Sequence, residues 1–321
     1  QDRVTYPGAF QGIFLEIFVG RRVESGMGNS SVFQPGTALT LFMSILFWGY
    51  VVFHTIFIGF PIAVLIRLLH LFYDRERRVL LHWWTTQWAY HYHHWNPFCQ
   101  TTILGRENIK KVRDNAVIFV CNHQSTTDIM LLYGIETHFK WVSKSSNFMI
   151  PFIGWNMWMN DYVPVKRGDK DSVHKMFEHC KKHLKAGNSL VFFPEGSRST
   201  DGQIKAFKPG AFSLAMEAKV PIVPLVLDGS ADCLTAGKGM TVAIYNGGGW
   251  NITLKALEPI YPDKFGNSVE SLMEKVRNIM VEDFEKIKSD NIAKGKKSCY
   301  FDSQQARSCD ETVPLYQEER T

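Results

Sequence analysis

The fold is decided by residues 116–128, which read AVIFVCNHQSTTD. The first half is a short, continuous apolar run, which is typical of a strand buried inside a parallel sheet. In the second half, Ser125 to Asp128 match the S/T-x-x-D pattern that caps a helix, so we expect a helix to begin near Ser125. The stretch therefore predicts a buried strand that leads through a polar turn into a helix.

The same alternation continues through the chain beyond residue 100. Apolar runs at 189–194 and 221–229 and a further segment at 251–256 predict strands, and amphipathic stretches at 169–186, 207–218 and 268–288 predict helices. Strands that alternate with helices predict an α/β fold with a central, mostly parallel sheet flanked by helices. We expect this domain to span 99–288, and the polar segment 289–321 to form a disordered tail.

An apolar segment precedes this domain. Residues 38–66 read ALTLFMSILFWGYVVFHTIFIGFPIAVLI, which exceeds the roughly 20 apolar residues that cross a bilayer. Gly59 and Pro61 interrupt it, so both a kinked span and a helix that enters the membrane and turns back remain open. A buried helix of a soluble protein is the alternative on length alone. The segment predicts a membrane-associated helix.

The residues on either side extend this membrane prediction. The aromatic and histidine-rich run at 82–98 predicts a second helix at headgroup depth. We therefore assign 1–37 to a polar or amphipathic segment and 38–98 to a membrane-anchoring helical element. Arginines follow the apolar run at 67, 75, 77 and 78, which favours the cytoplasmic side for the downstream chain, at a bacterial inner membrane or the endoplasmic reticulum.

Composition narrows the classes of partner. The 36 Lys and Arg exceed the 31 Asp and Glu, which suits an anionic membrane face or phosphorylated substrates, and no basic block is dense enough to predict a nucleic-acid partner. The six cysteines form no CxxC pair, so we expect free thiols, a reducing compartment and no structural zinc. His91, His93 and His94 could bind a metal, but no cysteine or carboxylate accompanies them, so no metal site is expected.

His123 and Asp128 form the first candidate site. In an ideal helix five residues rotate a side chain by about 140°, so the two can meet only if the histidine precedes the helix. A neutral imidazole held in one tautomer by a carboxylate is a suitable general base for a hydroxyl. The residues alone leave two interpretations open, a plain helix cap and a catalytic pair.

Three further motifs follow along the chain. FFPEGSRSTDG at 192–202 ends a predicted strand, where ligands of α/β sheets usually bind, and Arg198 offers a forked phosphate donor. An ordinary surface loop is the alternative. YVPVKRG at 162–168 supplies Arg167 as a weaker phosphate ligand, and Lys144 is weaker still. Pro221 and Pro224 predict the start of an edge strand or a wall of an apolar groove, because proline forfeits ladder hydrogen bonds.

The order of these motifs resembles the four-block signature of the glycerolipid acyltransferases. NHxxxxD, an arginine-terminated strand, FPEGSR and VPIVP follow one another over residues 100–260, and they look most like the 1-acyl-sn-glycerol-3-phosphate acyltransferases. Linking phrases such as FKPGAFSLAMEA are also similar. The resemblance implies transfer of an acyl group from a thioester to the sn-2 hydroxyl of lysophosphatidic acid at a phospholipid membrane. The acyl donor would be acyl-CoA or acyl carrier protein, with no cofactor.

The resemblance also implies roles for individual residues. His123 would be the general base, with Asp128 orienting it, and no covalent acyl-enzyme would form. The substrate-binding residues would be Lys144, Arg167, Glu195, Gly196, Ser197 and Arg198. Asn122, Pro194, Pro221 and Pro224 would complete the conserved motifs of the family. Two other functions stay open, which are acylation of a different lyso-lipid and a non-catalytic membrane protein that binds lipid.

Overall fold

The computed structural model describes residues 37–94, 99–199, 201–232 and 250–293. Almost all of the predicted 1–37 segment and most of the predicted tail lie outside these ranges. The helices are α1 (Thr37–His54), α2 (Phe60–Leu69), α3 (Val79–His94), α4 (Arg106–Lys110), α5 (Asp128–Leu132), α6 (Ile153–Met159), α7 (Lys170–Lys185), α8 (Gly210–Ala218) and α9 (Val269–Ala293). The strands are β1 (Cys99–Leu104), β2 (Ile118–Cys121), β3 (Phe139–Lys144), β4 (Val163–Val165), β5 (Ser189–Phe192), β6 (Ile222–Asp228) and β7 (Trp250–Ala256).

The strands of the described chain form one seven-stranded sheet in the order β1-β7-β6-β2-β5-β3-β4. The five strands from β6 to β4 are mutually parallel, β7 is antiparallel to β6, and β1 is parallel to β7. The prediction of a mostly parallel sheet flanked by helices is thereby confirmed. The carboxyl ends of β2 to β6 share one edge of the sheet, called here the carboxyl edge. The opposite edge is called the amino edge.

Both faces of the sheet are buried, which explains the continuous apolar runs of its central strands. Successive side chains of a strand point to opposite faces, so Ile118 and Val120 of β2 pack on one side and Phe119 and Cys121 on the other. Apolar residues of α7, α8 and α9 cover the Ile118 face, and those of α5 contribute to the core on the Phe119 face. This packing fixes the carboxyl ends of β2 and β5 side by side.

The proline-containing strand is not an edge strand. β6 lies between β7 and β2, and Pro224 pairs with Val120 within the sheet. The register shifts beside it, because Leu225 pairs with Ala256 whereas Ile222 pairs with Ile260. The Pro224 carbonyl accepts from Leu257 N in that irregular stretch. The proline nitrogen points the same way as its carbonyl, so the missing N–H faces a bulge that needs no donor.

The apolar run forms continuous helix and does not turn back. A π-helical turn at Thr55–Gly59 joins α1 to α2, and Pro61, which supplies no N–H, directly follows this irregular stretch of backbone hydrogen bonding. Ile45–Leu69 is long and apolar enough to cross a membrane, judged by length and composition, and 17% of the most apolar part is buried against the protein. The alternative of a helix that enters and returns is therefore wrong for these residues.

The second predicted helix, α3, packs one of its faces against the protein. Its face toward the protein buries polar and aromatic side chains, namely His82, Thr85, Thr86, Trp88 and Tyr92. His82 Nδ1 lies 3.0 Å from the Tyr162 hydroxyl, and Arg78, just before α3, donates to the Met159 carbonyl at 2.7 Å. A position at headgroup depth would leave only the opposite face, with Trp83 half exposed, for lipid.

The last helix is longer than its sequence pattern predicts. α9 continues to Ala293, so placing the start of the tail at residue 289 is wrong for the first residues of that segment. Asn291 Nδ2 donates to the buried Asp228 carboxylate at 2.8 Å, at the end of β6. This hydrogen bond holds a polar turn of α9 against the sheet where no apolar period indicates a helix.

Candidate active site

His123 follows β2 at the carboxyl edge and lies beside Asp128 at the start of α5. Its Nδ1 is 2.8 Å from Asp128 Oδ2, and the histidine precedes the helix, as the spacing requires. A carboxylate oxygen only accepts, so Nδ1 carries the proton and donates it. Nε2 therefore keeps a lone pair. With 16% of its side chain exposed, the ring can offer that lone pair to a substrate.

Asp128 serves the backbone and the imidazole together. Its Oδ2 accepts from Gln124 N at 2.7 Å and Ser125 N at 2.9 Å in addition to the His123 ring. These bonds close a turn over residues 124–127, and α5 begins at Asp128 itself, later than the predicted start near Ser125. The carboxylate is fully buried, and its Oδ1 has no hydrogen-bond partner among the described residues. The cap and the His–Asp pair are thus one arrangement.

An aromatic wall fixes the plane of the imidazole. The His123 ring stacks on Phe193, with centroids 4.0 Å apart and planes 16° from parallel. Phe193 in turn stacks on Trp141 of β3 at 5.8 Å. Since β3, β5 and β2 are neighbours or next neighbours in the sheet, these rings lie across its carboxyl edge. Stacking on one face and the carboxylate at Nδ1 together leave the ring little freedom to rotate.

Glu195 joins the turn after β5 to the turn after β2. Its Oε1 accepts from His123 N at 2.9 Å, and its Oε2 accepts from Lys205 N at 3.1 Å. The side chain is buried, and burial raises the pKa of its carboxyl although the two N–H donors and the nearby Lys205 oppose that shift. Both oxygens are occupied by backbone donors. Glu195 therefore shapes the site and holds the backbone of His123 in place.

Replacing Glu195 by glutamine is expected to lower the free energy of unfolding by about 1–3 kcal/mol. Glutamine keeps one acceptor oxygen, so its NH₂ would face one of the two partly buried N–H donors. Urea unfolding in detergent measures the change. The control is Glu274→Gln, at an exposed position of α9. Coincident unfolding curves for wild type and Glu195→Gln would contradict this role.

Arg198 is exposed beside the His–Asp turn. Its Nη1 donates to Thr126 Oγ1 at 2.9 Å, and Lys205 Nζ donates to the Arg198 carbonyl at 2.7 Å. Ser197 is exposed next to it. The guanidinium therefore lies against the loop that separates His123 from Asp128, where its remaining N–H groups can bind an anion.

Lys208 is a basic residue at this site that the sequence motifs do not single out. Gly196 has φ of +73°, and a Cβ on it would lie 2.8 Å from Lys208 Nζ. The Lys208 side chain therefore crosses directly over Gly196. Lys208 N also donates to the carbonyl of the buried Pro194 at 2.9 Å. The lysine of the FKPG phrase was the available signal, since it follows the glutamate–glycine turn closely in sequence.

Asn122 is a structural residue of the site, and the cations Lys144 and Arg167 lie farther from it than Arg198 does. Asn122 exchanges two 2.8 Å hydrogen bonds with the backbone of Leu227 in β6, so it fixes the end of β2. Lys144 and Arg167 are exposed at or just after the carboxyl ends of β3 and β4. In the part of the chain that the structure describes, neither makes a hydrogen bond or ion pair with His123, Asp128 or Glu195. They lie at the same carboxyl edge of the sheet as His123 and Asp128 without bonding to either residue.

Among the described residues, one group of side chains has metal-ligand character, and it lies at the amino edge. Ligand atoms of Asp161, His179 and His183 are within 4.8 Å of one another. His183 Nε2 donates to the Asp161 carbonyl at 2.8 Å, and Arg78 lies 4.0 Å from the Asp161 carboxylate. Burial acts to raise the pKa of Asp161, but His179 and Arg78 hold it below its ordinary value. The geometry is that of an ion-pair cluster. The side chains of His93 and His94 lie outside the described residues.

Known acyltransferases are similar to this chain in the region that contains the candidate site. The sequence model of the family described as Acyltransferase matches residues 100–228. A 1-acyl-sn-glycerol-3-phosphate acyltransferase of Chlamydomonas reinhardtii is 37% identical over 65% of this chain and 62% of its own length. A chloroplastic one of Brassica napus is 37% identical over 66% and 58%. The Saccharomyces cerevisiae enzyme is 31% identical over 65% and 67%.

A solved structure has the same fold. The 1-acyl-sn-glycerophosphate (LPA) acyltransferase PlsC of Thermotoga maritima superposes with a TM-score of 0.65 at 24% identity, covering 78% of this chain and 97% of its own. The chain spans less than two thirds of the length of the algal and Brassica relatives. The residues matched by the family model, 100–228, contain β2 to β6 and the turns at their carboxyl ends.

Proposed function

This chain belongs to the 1-acyl-sn-glycerol-3-phosphate acyltransferase family of glycerolipid acyltransferases, and from that membership we propose that it transfers an acyl group from a thioester to the sn-2 hydroxyl of lysophosphatidic acid. The observation that carries the proposal is the His123 Nδ1–Asp128 Oδ2 hydrogen bond at the carboxyl edge. It provides a neutral imidazole whose Nε2 can accept a proton. The product is phosphatidic acid, an intermediate of phospholipid biosynthesis.

The proposed reaction needs one base and no covalent enzyme intermediate. Nε2 of His123 takes the proton of the sn-2 hydroxyl while the oxygen attacks the thioester carbonyl. The tetrahedral intermediate collapses, the C–S bond breaks, and the leaving thiolate recovers the proton from the imidazolium. Asp128 stabilises that imidazolium through Oδ2. Cys121 is buried, and burial followed by the charges of Asp128 and Glu195 raises its pKa, so it stays a protonated thiol and is no nucleophile.

Cations at the carboxyl edge bind the phosphate of the acceptor in this proposal. Arg198 is the main ligand in this proposal, which is supported by its bond to Thr126, in the loop between His123 and Asp128. Lys208 adds positive charge across Gly196. Arg167 and Lys144 lie farther along the same edge and meet the outer part of the phosphate or the developing oxyanion. Gly196 and Ser197 line the acceptor site between Glu195 and Arg198.

The acyl donor is acyl-CoA or acyl carrier protein, and the reaction takes place at a phospholipid membrane. The length and apolar composition of Ile45–Leu69 support this membrane location. The arginines after the apolar helix favour the cytoplasmic side for the catalytic domain. A second candidate function keeps the chemistry and changes the acceptor to another lyso-lipid.

The proposed function is tested by acyl transfer from labelled acyl-CoA or acyl carrier protein with detergent-purified protein. Lysophosphatidic acid, lysophosphatidylcholine and glycerol-3-phosphate are offered in parallel, with a reaction lacking acceptor to detect thioester hydrolysis. We expect phosphatidic acid from the first acceptor alone. Preferred transfer to lysophosphatidylcholine, whose phosphate is a diester, would contradict lysophosphatidic acid as the acceptor and favour the second candidate. Absence of product with every donor and acceptor would contradict an acyltransferase.

Arg198→Ala is expected to raise KM for lysophosphatidic acid by about 10- to 100-fold, the equivalent of one charged hydrogen bond to phosphate. KM for the thioester should change little, because Arg198 acts on the acceptor. Initial rates with each substrate varied in turn measure both constants. Arg198→Lys, which keeps the charge without the fork, should give an intermediate value. Equal rises in both KM values would mean that Arg198 only supports the loop.

A further inference from the structure

The turn and helix between β3 and β4 expose a cluster of apolar side chains. Residues 145–160 read SSNFMIPFIGWNMWMN and contain no charged residue. In the described part of residues 99–293, seven large hydrophobic side chains are exposed, and five of them lie within this stretch. These five are called here the α6 surface, namely Met149, Ile150, Ile153, Trp155 and Trp158. Single exposed apolar residues are ordinary, whereas a cluster marks a surface that binds a partner or a membrane.

The polarity of α6 is reversed relative to that of a helix in water. Asn156 and Asn160 are buried, and both side-chain amides donate to the Thr85 hydroxyl of α3, at 3.1 and 3.0 Å. Trp158, between them in sequence, is 53% exposed. Amphipathic helices on the surface of soluble domains have apolar side chains inside and polar ones outside. The α6 surface is therefore suited to contact with an apolar medium.

The α6 surface adjoins the apolar helix that precedes the sheet domain. The ring of Phe60, in the first turn of α2, lies 5.3 Å from that of Phe152 and 5.6 Å from that of Trp155. Phe60 belongs to Ile45–Leu69, the segment that is long and apolar enough to cross a membrane. That segment exposes large apolar side chains as well, among them Phe57, which is 64% exposed. Lipid that surrounds this segment would therefore meet the α6 surface at Trp155.

We propose that the α6 surface inserts into the boundary between lipid headgroups and acyl chains, so that the catalytic domain has a lipid contact of its own beside the anchor. This inference rests on the membrane location in the proposed function. Indole rings favour that depth, because they are apolar apart from one N–H group, and Trp155 and Trp158 provide two of them. Insertion removes exposed apolar side chains from water, and no charged group of residues 145–160 has to leave water with them.

The proposed contact fixes the orientation of the sheet relative to the membrane. β3 ends at Lys144, at the carboxyl edge, and Met149 of the α6 surface follows it closely in sequence. A single contact through the anchor would leave the domain free to tilt, whereas two contacts hold it. The carboxyl edge, with His123, then stays close to the lipid headgroups, among which a lyso-lipid acceptor is held.

Photo-crosslinking of the whole chain in nanodiscs of phosphatidylcholine and phosphatidylglycerol identifies what contacts this surface. The photoreactive residue p-benzoylphenylalanine replaces Ile150 or Trp158, both of which are exposed, so no core contact is lost. The same replacement of Phe57 tests the membrane location of the anchor, and that of Glu274, exposed on α9, is the control that faces water. Mass spectrometry separates lipid adducts from crosslinks to a second copy or within the chain. We expect lipid adducts at positions 57, 150 and 158 in yields at least about 10-fold above that at position 274, because only those side chains reach acyl C–H bonds.

The choice of positions separates failure of this inference from failure of the proposed function. Lipid adducts at position 57, with none above the control at 150 and 158, would overturn the inference and leave the membrane location standing. Crosslinks from 150 or 158 to a second copy, or to another segment of the chain, in place of lipid would also overturn it. Absence of lipid adducts at every position would overturn the membrane location and the inference together. Since the readout needs no turnover, loss of acyl transfer by itself affects neither result.

Discussion

His123→Ala is expected to lower kcat by about 10²- to 10⁴-fold, the range that a positioned general base contributes. The substitution removes Nε2, the atom proposed to take the hydroxyl proton. The ring is partly exposed and stacks on Phe193 at the protein surface, so its loss opens no closed cavity in the core. The fold should therefore survive, and KM for either substrate should change little, because the ring acts on the proton.

The measurement is the rate of phosphatidic acid formation at saturating substrate, together with the thermal midpoint of the same preparation. His174→Ala is a matched control, since His174 is exposed on α7 and makes no hydrogen bond or ion pair with His123 or Asp128 in the described chain. The control should retain full activity. A folded His123→Ala protein with kcat near that of the wild type would remove His123 from the mechanism and leave the family membership intact.

Asp128→Asn is expected to lower kcat by a similar factor while leaving the turn closed. The two backbone donors at Gln124 and Ser125 require an oxygen at the position of Oδ2, so the new amide should place its oxygen there. The NH₂ then occupies the position of Oδ1, where the described residues offer no competing partner. The His123 ring keeps its hydrogen bond, and the imidazolium loses its anion.

This variant separates the two roles of Asp128. If the residue acts only as a helix cap, Asp128→Asn should behave like wild type, because the cap bonds are retained. If it also stabilises the imidazolium, kcat should fall while KM for the acceptor and the thermal midpoint stay constant. Asp128→Ala is the contrasting variant, since it removes the cap as well and should also lower the free energy of unfolding, by about 0.5–2 kcal/mol.

The parts of the fold that the sequence predicts are those with an uninterrupted apolar pattern. β2, β5 and β6 have continuous apolar runs, because both sheet faces are buried there, and β7, α7 and α9 carry apolar residues at strand or helix spacing. β1 reads CQTTIL and lies at the edge of the sheet, so it has neither an apolar run nor strict alternation. The central position of Pro224 was not predictable, since it depends on a register shift between β6 and residues after β7.

The candidate site can also be predicted from the sequence only in part. The spacing of His123 and Asp128, with the cap pattern between them, is sufficient to predict that they meet before a helix. The glutamate at 195 is evident as part of a motif, but its two backbone partners come from segments 72 residues upstream and 10 downstream, which a linear pattern does not connect. The FKPG phrase contains Lys208, but its position over Gly196 is known only from the structure. Contacts made by the tertiary fold are missing from any local pattern.

The polar contacts of α3 bear on how such chains can be recombined. His82 pairs with Tyr162, Thr85 with Asn160, and Arg78 with the carbonyl of Met159, so each bond joins the amino-terminal helices to the turn before β4. A chimera that exchanged the first 94 residues for the anchor of a relative would leave buried hydroxyl, amide and carbonyl groups without their hydrogen-bond partners. The segment from residue 70 to the end of α3 therefore forms one structural unit with the catalytic domain, and a graft should take its boundary before residue 70, upstream of α3.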